Sequence, residues 1–237
     1  MKMLVLAGGF GTRLQSVVAA VPKALAPIGS VPFLYLQIEH WIAQGLRSFV
    51  FLLHHQADQI ISFLDSEKNG LLKGCEVQWI IELTPMDTGG AVANTVKELN
   101  LSGDFLLTNA DTWLGSGIQD LVRSVSASIA VISLSDASRY GQVQFDDHFN
   151  VTDFIEKSSS KGVGWINAGL CHLDADLFKD WNCRPLSLER ITFPELVGRG
   201  MLKAVALQTH FIDIGIPDDY FRFCRWVAAG RKGKLCS

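Results

Sequence analysis

The chain has 237 residues, 48% of them hydrophobic and 19% charged, and a net charge of −3 at neutral pH. These are the proportions of a soluble globular protein, long enough to bury a substantial core as one domain over residues 1–237. The charge balance gives no support for nucleic acid or an anionic membrane as partner, and no stretch approaches the roughly 18–20 apolar residues of a membrane span. Met1-Lys2 stands before an apolar run as in a signal peptide, but Gly8-Gly9 interrupts that run. Cys75, Cys171, Cys183, Cys224 and Cys236 show no C-x-x-C spacing and are odd in number. They read as reduced thiols of a cytoplasmic protein, mostly core filler, and not as a zinc site.

Taken in order, residues 4–7 form an apolar run that leads straight into Gly8-Gly9-Phe10-Gly11-Thr12-Arg13. That is a buried parallel strand ending in a glycine-rich turn. Ligands of open α/β sheets bind just beyond the carboxyl ends of the strands. Gly8, Gly9 and Gly11 let the backbone approach such a ligand, and their exposed N–H groups form a concave anion site. Leu6 and Ala7 sit at its strand end and Thr12 at its far side, while Arg13 adds a planar cation and Lys23 a more mobile one. The whole describes a triphosphate cradle. A dinucleotide fingerprint is excluded, because Leu14 stands where glycine or alanine is needed and no acid occupies positions 29–31. A Walker-type loop is excluded by spacing.

Residues 22–32 read as a loop, with Pro32 in the first turn of a helix that runs to Gln44 and closes at Gly45. A buried strand follows at 48–53, then a helix at 56–64, a strand at 76–82, a loop at 84–90, a helix at 91–99 and a strand at 104–108. His54-His55 follow a strand, but adjacent side chains on extended backbone diverge, which favours a structural role over a pocket. This β-α-β rhythm predicts an α/β fold, Rossmann-like, with a mixed, mainly parallel sheet flanked by helices. The second half is richer in strands, at 128–134, 141–145, 151–156, 164–173, 202–207 and 211–214. Short helices are expected at 174–180 and 187–197, and Pro217 opens a last helix ending near Gly230. Residues 1–110 would form the half that carries the triphosphate cradle, and residues 111–237 the half that covers the other side of a cleft.

Asp111 ends the strand at the edge that carries the glycine turn, and Asp213 precedes the Pro-opened helix. Two carboxylates meeting beside a phosphate cradle suit Mg²⁺, which takes one or two protein carboxylates and completes its shell with phosphate and water. Either acid alone reads equally as a helix cap or a surface charge.

The run Gly8-Gly9-Phe10-Gly11-Thr12-Arg13-Leu14 followed by Pro22-Lys23 resembles the signature of the sugar-1-phosphate nucleotidyltransferases. The longer string RLQSVVAAVPKALAPIGSVPFL resembles the D-glycero-D-manno-heptose 1-phosphate guanylyltransferase branch, with Ser16 where many relatives have proline. The resemblance covers about residues 3–225. It implies the nucleotidyltransferase fold, Mg²⁺ as cofactor, and transfer of GMP from GTP to a heptose 1-phosphate with release of pyrophosphate. Thr108-Asn109-Ala110-Asp111 resembles the family's Asn-Gly-Asp, placing Asn109 on the nucleotide and Asp111 on metal and sugar, although Ala110 replaces the usual glycine. Ile212-Asp213-Ile214-Gly215 resembles the segment of its second metal-binding Asp. Gly141, Glu156-Lys157 and Asn167-Ala168-Gly169 resemble the sugar-binding positions, with Ser158 where relatives often have proline. Glu82 to Gly90, including Thr88 and Gly89, aligns with the base-binding segment. A carboxylate at Glu82 can only accept hydrogen bonds, which suits guanine's adjacent N1–H and N2–H₂ donors, though a strand-end acid facing water reads as well. Ser187-Leu188-Glu189 to Phe193-Pro194-Glu195 resembles a family segment that shapes the sugar side; a plain amphipathic helix is the other reading. The competing functions are the same chemistry with another sugar or base, a nucleotide-sugar-dependent glycosyltransferase, and a noncatalytic sensor. The glycosyltransferase is disfavoured by the lack of Asp-x-Asp after residue 108, the sensor by the intact Arg13 and Lys23. A homo-oligomer is left open.

Overall fold

The computed structural model describes residues 1–155, 162–232 and 235. The first half is β1 (Lys2–Leu6), a ribbon of β2 (Pro27–Ile28) and β3 (Val31–Pro32), α1 (Phe33–Ala43), β4 (Ser48–Leu53), α2 (Ala57–Ser66), β5 (Glu76–Ile81), α3 (Asp87–Glu98) and β6 (Asp104–Asn109). The second half is β7 (Thr112–Leu114), α4 (Ile118–Arg123), β8 (Ser128–Leu134), β9 (Gln142–Phe145), β10 (Val151–Ile155), β11 (Gly164–Asp174), α5 (Phe193–Gly198), β12 (Lys203–Ala206), β13 (Phe211–Asp213) and α6 (Pro217–Ala228).

The main sheet runs β10-β9-β11-β6-β1-β4-β5, and β8 with β12 branches from the long strand β11. Its centre, β6-β1-β4-β5, is parallel. β11 is antiparallel to β6, β8 and β9 and turns the sheet into a mixed one. The unbroken apolar run of β1 has a direct cause: both faces of the strand are covered. Met3 and Val5 pack with Leu34, Ile38 and Ile60 on the side of α1 and α2, whereas Leu4 packs with Val92 and Val96 of α3. A third apolar cluster joins Phe33 and Leu36 of α1, Trp113 of β7, Ile212 of β13, and Phe223 and Trp226 of α6. It holds the two-stranded β7–β13 ribbon against the rest of the molecule.

Four expectations shift. Pro32 immediately precedes α1, in extended backbone, and does not open its first turn. α3 starts at Asp87, so Thr88, Gly89 and Gly90 are helical where a loop and a later start were expected. The glycines that suggest a loop serve packing instead: a Cβ on Gly89 would lie 2.9 Å from Leu186 Cγ and from its carbonyl oxygen. The expected helix at 187–197 is a π-turn at Leu188–Thr192 running into α5, and a 3₁₀ turn at Ala175–Phe178 replaces that at 174–180. Among the described residues, no helix is long and apolar enough to cross a membrane.

Candidate active site

Parallel pairing brings the carboxyl ends of β1, β4 and β6 to one edge, with Leu6 level with Leu52 on one side and Asn109 on the other. The glycine turn grows out of that edge. Gly11 adopts φ +61°, a left-handed conformation that glycine tolerates, and a Cβ there would meet Lys23 Cβ at 3.2 Å. A Cβ on Gly8 would come equally close to His54, 3.1 Å from its Cβ and from its backbone nitrogen.

Two adjoining cavities open along the turn. The smaller, about 170 Å³, is lined by Leu6, Ala7, Gly9, Gly11, Thr12, Arg13, Lys23, Asp111 and Gly215 among others. The larger, about 570 Å³, shares Leu6, Gly9, Arg13 and Asp111 and extends past Gly8, His54, Asn109 and Thr88 to Glu82 and Glu189. Their common walls make one groove. Arg13 is exposed and, among the described residues, makes no ion pair, so its guanidinium is available to an anion.

At one end of the groove Lys23 Nζ donates to Asp111 Oδ2 at 2.6 Å and to Asp213 Oδ1 at 3.1 Å. The β7–β13 register creates this meeting: Asp213 pairs with Thr112, beside Asp111, and the Ile214 N–H donates to the Asp111 carbonyl at 3.0 Å. A Cβ on Gly215 would fall 2.7 Å from Asp213 Oδ1 and 2.8 Å from Lys23 Nζ, so a larger residue there would displace the ends of these side chains. Burial opposes the charge on Lys23, but Asp111 and Asp213 outweigh it and raise its pKa above the ordinary 10.5. Asp213 is also held above the usual carboxylate range, first by burial and then by the neighbouring Asp111 charge. Two carboxylates thus share one ammonium and retain excess negative charge. Among the described residues no group of three or more His, Cys, Asp or Glu side chains is placed to hold a metal ion. Two hard oxygen donors without nitrogen or sulfur fit Mg²⁺, whose remaining positions go to phosphate and water.

At the other end Glu82 is 8% exposed, and its Oε2 accepts the Met86 N–H at 3.1 Å. Burial raises its pKa, with that hydrogen bond and His54 pulling the other way. Glu82 therefore lines the cavity and does not stand in water at a strand end. His54 also lines it, its Nδ1 2.8 Å from the Glu82 carbonyl oxygen, contrary to the structural reading of the His pair. The reason is its place, one residue past the end of β4 on the ligand edge. His55 turns away beneath the Phe10 ring, their centroids 5.1 Å apart.

The remaining expected residues divide. Thr88 lines the cavity, but Gly89 is buried behind it against Leu186. Gly141 and Asn167 line neither cavity: the Asn167 N–H donates to the Gly141 carbonyl at 3.0 Å, and Asn167 Oδ1 accepts from the Gly169 N–H at 3.0 Å. Glu156 and Lys157 lie outside the described residues. Of the thiols, Cys171 is buried and its pKa raised by burial, Cys183 is exposed, and Cys236 lies outside the described residues. The sequence reading gave no place in the groove to Gly215, and assigned Glu189 to the sugar side although it lines the larger cavity. Gly215 was visible as the end of the Ile-Asp-Ile-Gly run, but the position of Glu189 carries no local signal.

The nucleotidyl transferase family profile matches residues 2–228. The chain is 31% identical over 228 residues to the D-glycero-alpha-D-manno-heptose 1-phosphate guanylyltransferase of Campylobacter jejuni, covering 94% of this chain and 98% of that protein. It is 28% identical to the mannose-1-phosphate guanylyltransferase catalytic subunit beta of Drosophila melanogaster, over 98% of this chain but 64% of the longer relative. Its structure is similar to the crystal structure of HddC from Yersinia pseudotuberculosis, at 33% identity and a TM-score of 0.83, covering 95% of this chain and 99% of HddC. HddC has also been solved complexed with GMP-PN.

Proposed function

The chain belongs to the nucleotidyl transferase family, and on that premise we propose that it transfers GMP from GTP to a sugar 1-phosphate, D-glycero-α-D-manno-heptose 1-phosphate foremost. The observation that carries this reading is the polarity of one groove: Arg13 and the Lys23–Asp111–Asp213 cluster at one end, the buried acceptor Glu82 at the other. Triphosphate suits the first and a donor-bearing base such as guanine suits the second.

In the reaction an oxygen of the sugar 1-phosphate attacks the α-phosphorus of GTP. The new P–O bond forms as the bond to the β-phosphate oxygen breaks, and pyrophosphate leaves with the electron pair. The nucleophile is already ionised at neutral pH, so no side chain has to remove a proton. The protein aligns the two phosphates and stabilises charge. The turn amides of Gly8, Gly9 and Gly11, with Thr12, cradle the triphosphate, and Arg13 neutralises the departing pyrophosphate. Lys23 meets charge developing at the α-phosphate. Asp111 and Asp213 would hold Mg²⁺, which supplies charge neutralisation between the phosphates when bound. Asn109 lines the larger cavity and Asp111 lines both, so nucleotide and sugar phosphate would meet beside them. Gly141, Glu156, Lys157 and Asn167 are assigned to the sugar, which would approach from the β9–β11 side. Free thiols and soluble nucleotide substrates are consistent with a cytoplasmic reaction.

The test is pyrophosphate release with Mg²⁺, using GTP, ATP, CTP, UTP and dTTP against heptose-, mannose- and glucose-1-phosphates. Release that requires GTP with heptose 1-phosphate and is lost in Asp111→Ala supports the assignment. Release with a different nucleotide keeps the chemistry and removes the role given to Glu82, whereas release with GTP and another sugar phosphate changes only the acceptor. Binding of a nucleotide sugar without release for any pair overturns the reading.

A further inference from the structure

The second half of the chain reaches the base end of the groove through a clasp between the π-turn and the start of α3. Thr88 Oγ1 donates to Glu189 Oε2 at 2.7 Å, and Ser187 Oγ donates to the same oxygen at 3.1 Å. The Leu188 N–H in turn donates to Thr88 Oγ1 at 3.0 Å. Two backbone bonds close the clasp, from the Leu186 N–H to the Met86 carbonyl and from the Gly90 N–H to the Leu186 carbonyl, each 2.9 Å. Arg190 Nη2 adds an ion pair to Asp87 Oδ2 at 2.7 Å.

Two consequences follow from the donor and acceptor inventory. The Thr88 hydroxyl both donates and accepts within the clasp, so its proton is not free for a ligand. Glu189 is held by two hydroxyls on one oxygen, while its Oε1 accepts no hydrogen bond among the described residues and the side chain lines the larger cavity. Charge then says what that oxygen meets. A helix N-terminus ordinarily attracts phosphate, but that of α3 carries three carboxylates, of which Arg190 pairs with one, Asp87. Glu82 Oε2 accepts the Met86 N–H, Asp87 Oδ1 accepts the Thr88 N–H at 2.8 Å, and Glu189 sits on the Thr88 hydroxyl. Phosphate is therefore disfavoured at this end and goes to Arg13 and the glycine turn. The uncharged nucleoside, rich in N–H and O–H donors, fits here.

We infer that Glu189 binds the nucleoside, its free oxygen accepting a hydrogen bond from the guanine amino group or the ribose 2′-hydroxyl, and that Thr88 is a positioning residue acting through it. This rests on the GTP reading above. It makes the nucleotide pocket a joint product of segments about 100 residues apart in the chain.

Glu189→Gln provides the sharp test, because the amide oxygen keeps the Thr88 and Ser187 bonds and presents an NH₂ donor to the nucleoside. Calorimetric binding with Mg²⁺ would compare GTP, ITP (no amino group) and 2′-dGTP (no 2′-hydroxyl) on wild type and variant. The expected loss for GTP is roughly tenfold to a hundredfold, the scale of a charge-assisted hydrogen bond. In turnover it appears in KM for GTP, with kcat near wild type. Loss that persists with 2′-dGTP and vanishes with ITP identifies the amino group; the reverse pattern identifies the hydroxyl. Thr88→Val should weaken GTP in the same way and Thr88→Ser should restore it, and this pair carries the test if Glu189→Gln does not fold. Unchanged GTP affinity, or equal loss for all three nucleotides, overturns the inference while leaving the enzyme reading intact. A wild-type protein that binds no GTP overturns both.

Discussion

At the scale of single residues, the decisive group is Lys23, whose ammonium sits between two carboxylates with only 12% of its side chain exposed. Removing it as Lys23→Met leaves Asp111 and Asp213 facing one another and takes away the cation that the proposed reaction sets beside the α-phosphate. Pyrophosphate release at saturating substrates should fall about 10²–10³-fold, the usual cost of losing one preorganised charge stabiliser. Stability measured in chelator has a pH signature as well. The folded-state pKa of Lys23 is raised above 10.5, so its stabilising contribution is fully present below that pH and is lost as pH rises through the folded value. The Tm deficit of Lys23→Met should therefore be constant from neutral pH to about 10 and shrink above 10.5. A deficit independent of alkaline pH would assign the lost stability to packing of the lysine stem.

At the scale of elements, α3 and the segment before α5 form one unit. Gly89 and Gly90 exist in α3 for close approach: Gly89 to Leu186, and Gly90 to Met86 Cβ, 2.8 Å from an added Cβ. Alanine in place of glycine normally favours a helix by about 1 kcal/mol. Gly89→Ala should instead destabilise by about 1–3 kcal/mol in urea unfolding, because the added carbon meets a carbonyl oxygen that cannot move aside without breaking the Gly90–Leu186 bond. The same element shows why a sequence reading places its start too late. Asp-Thr-Gly-Gly is loop chemistry when read locally, and only the packing partner, about 100 residues further on, makes those glycines helical. β1 and β4 are the opposite case. Burial on both faces writes itself directly into an unbroken apolar run.

At the scale of the whole molecule, the site depends on a core that lines neither cavity. Phe33, Trp113, Ile212 and Phe223 pack where α1, β7, β13 and α6 meet, and this cluster holds the strand carrying Asp213 beside the one that follows Asp111. Phe223 is fully buried, with its ring 5.0 Å from Phe33 and 5.4 Å from Trp113. Phe223→Ala should cost about 3–5 kcal/mol of stability. It should also raise the Mg²⁺ concentration needed for half-maximal activity, because the two carboxylates lose their fixed spacing. A variant that is destabilised but keeps its Mg²⁺ dependence would show that the β7–β13 pairing alone sets the carboxylates.

The sequence by itself determined what depends on neighbours along the chain. The alternation of apolar runs and helices specified the parallel centre of the sheet, and the glycine turn with Arg13 and Lys23 marked one end of the groove. It also singled out Asp111 by its place at the end of a strand and Asp213 by its place before the Pro-opened helix. Their juxtaposition through Lys23, the burial of Glu82, the helical state of Gly89 and the arrival of Glu189 in the cavity were decided by tertiary structure. Each of these results from chain segments returning across tens to nearly two hundred residues, and local periodicity and propensity carry no record of which segments will meet.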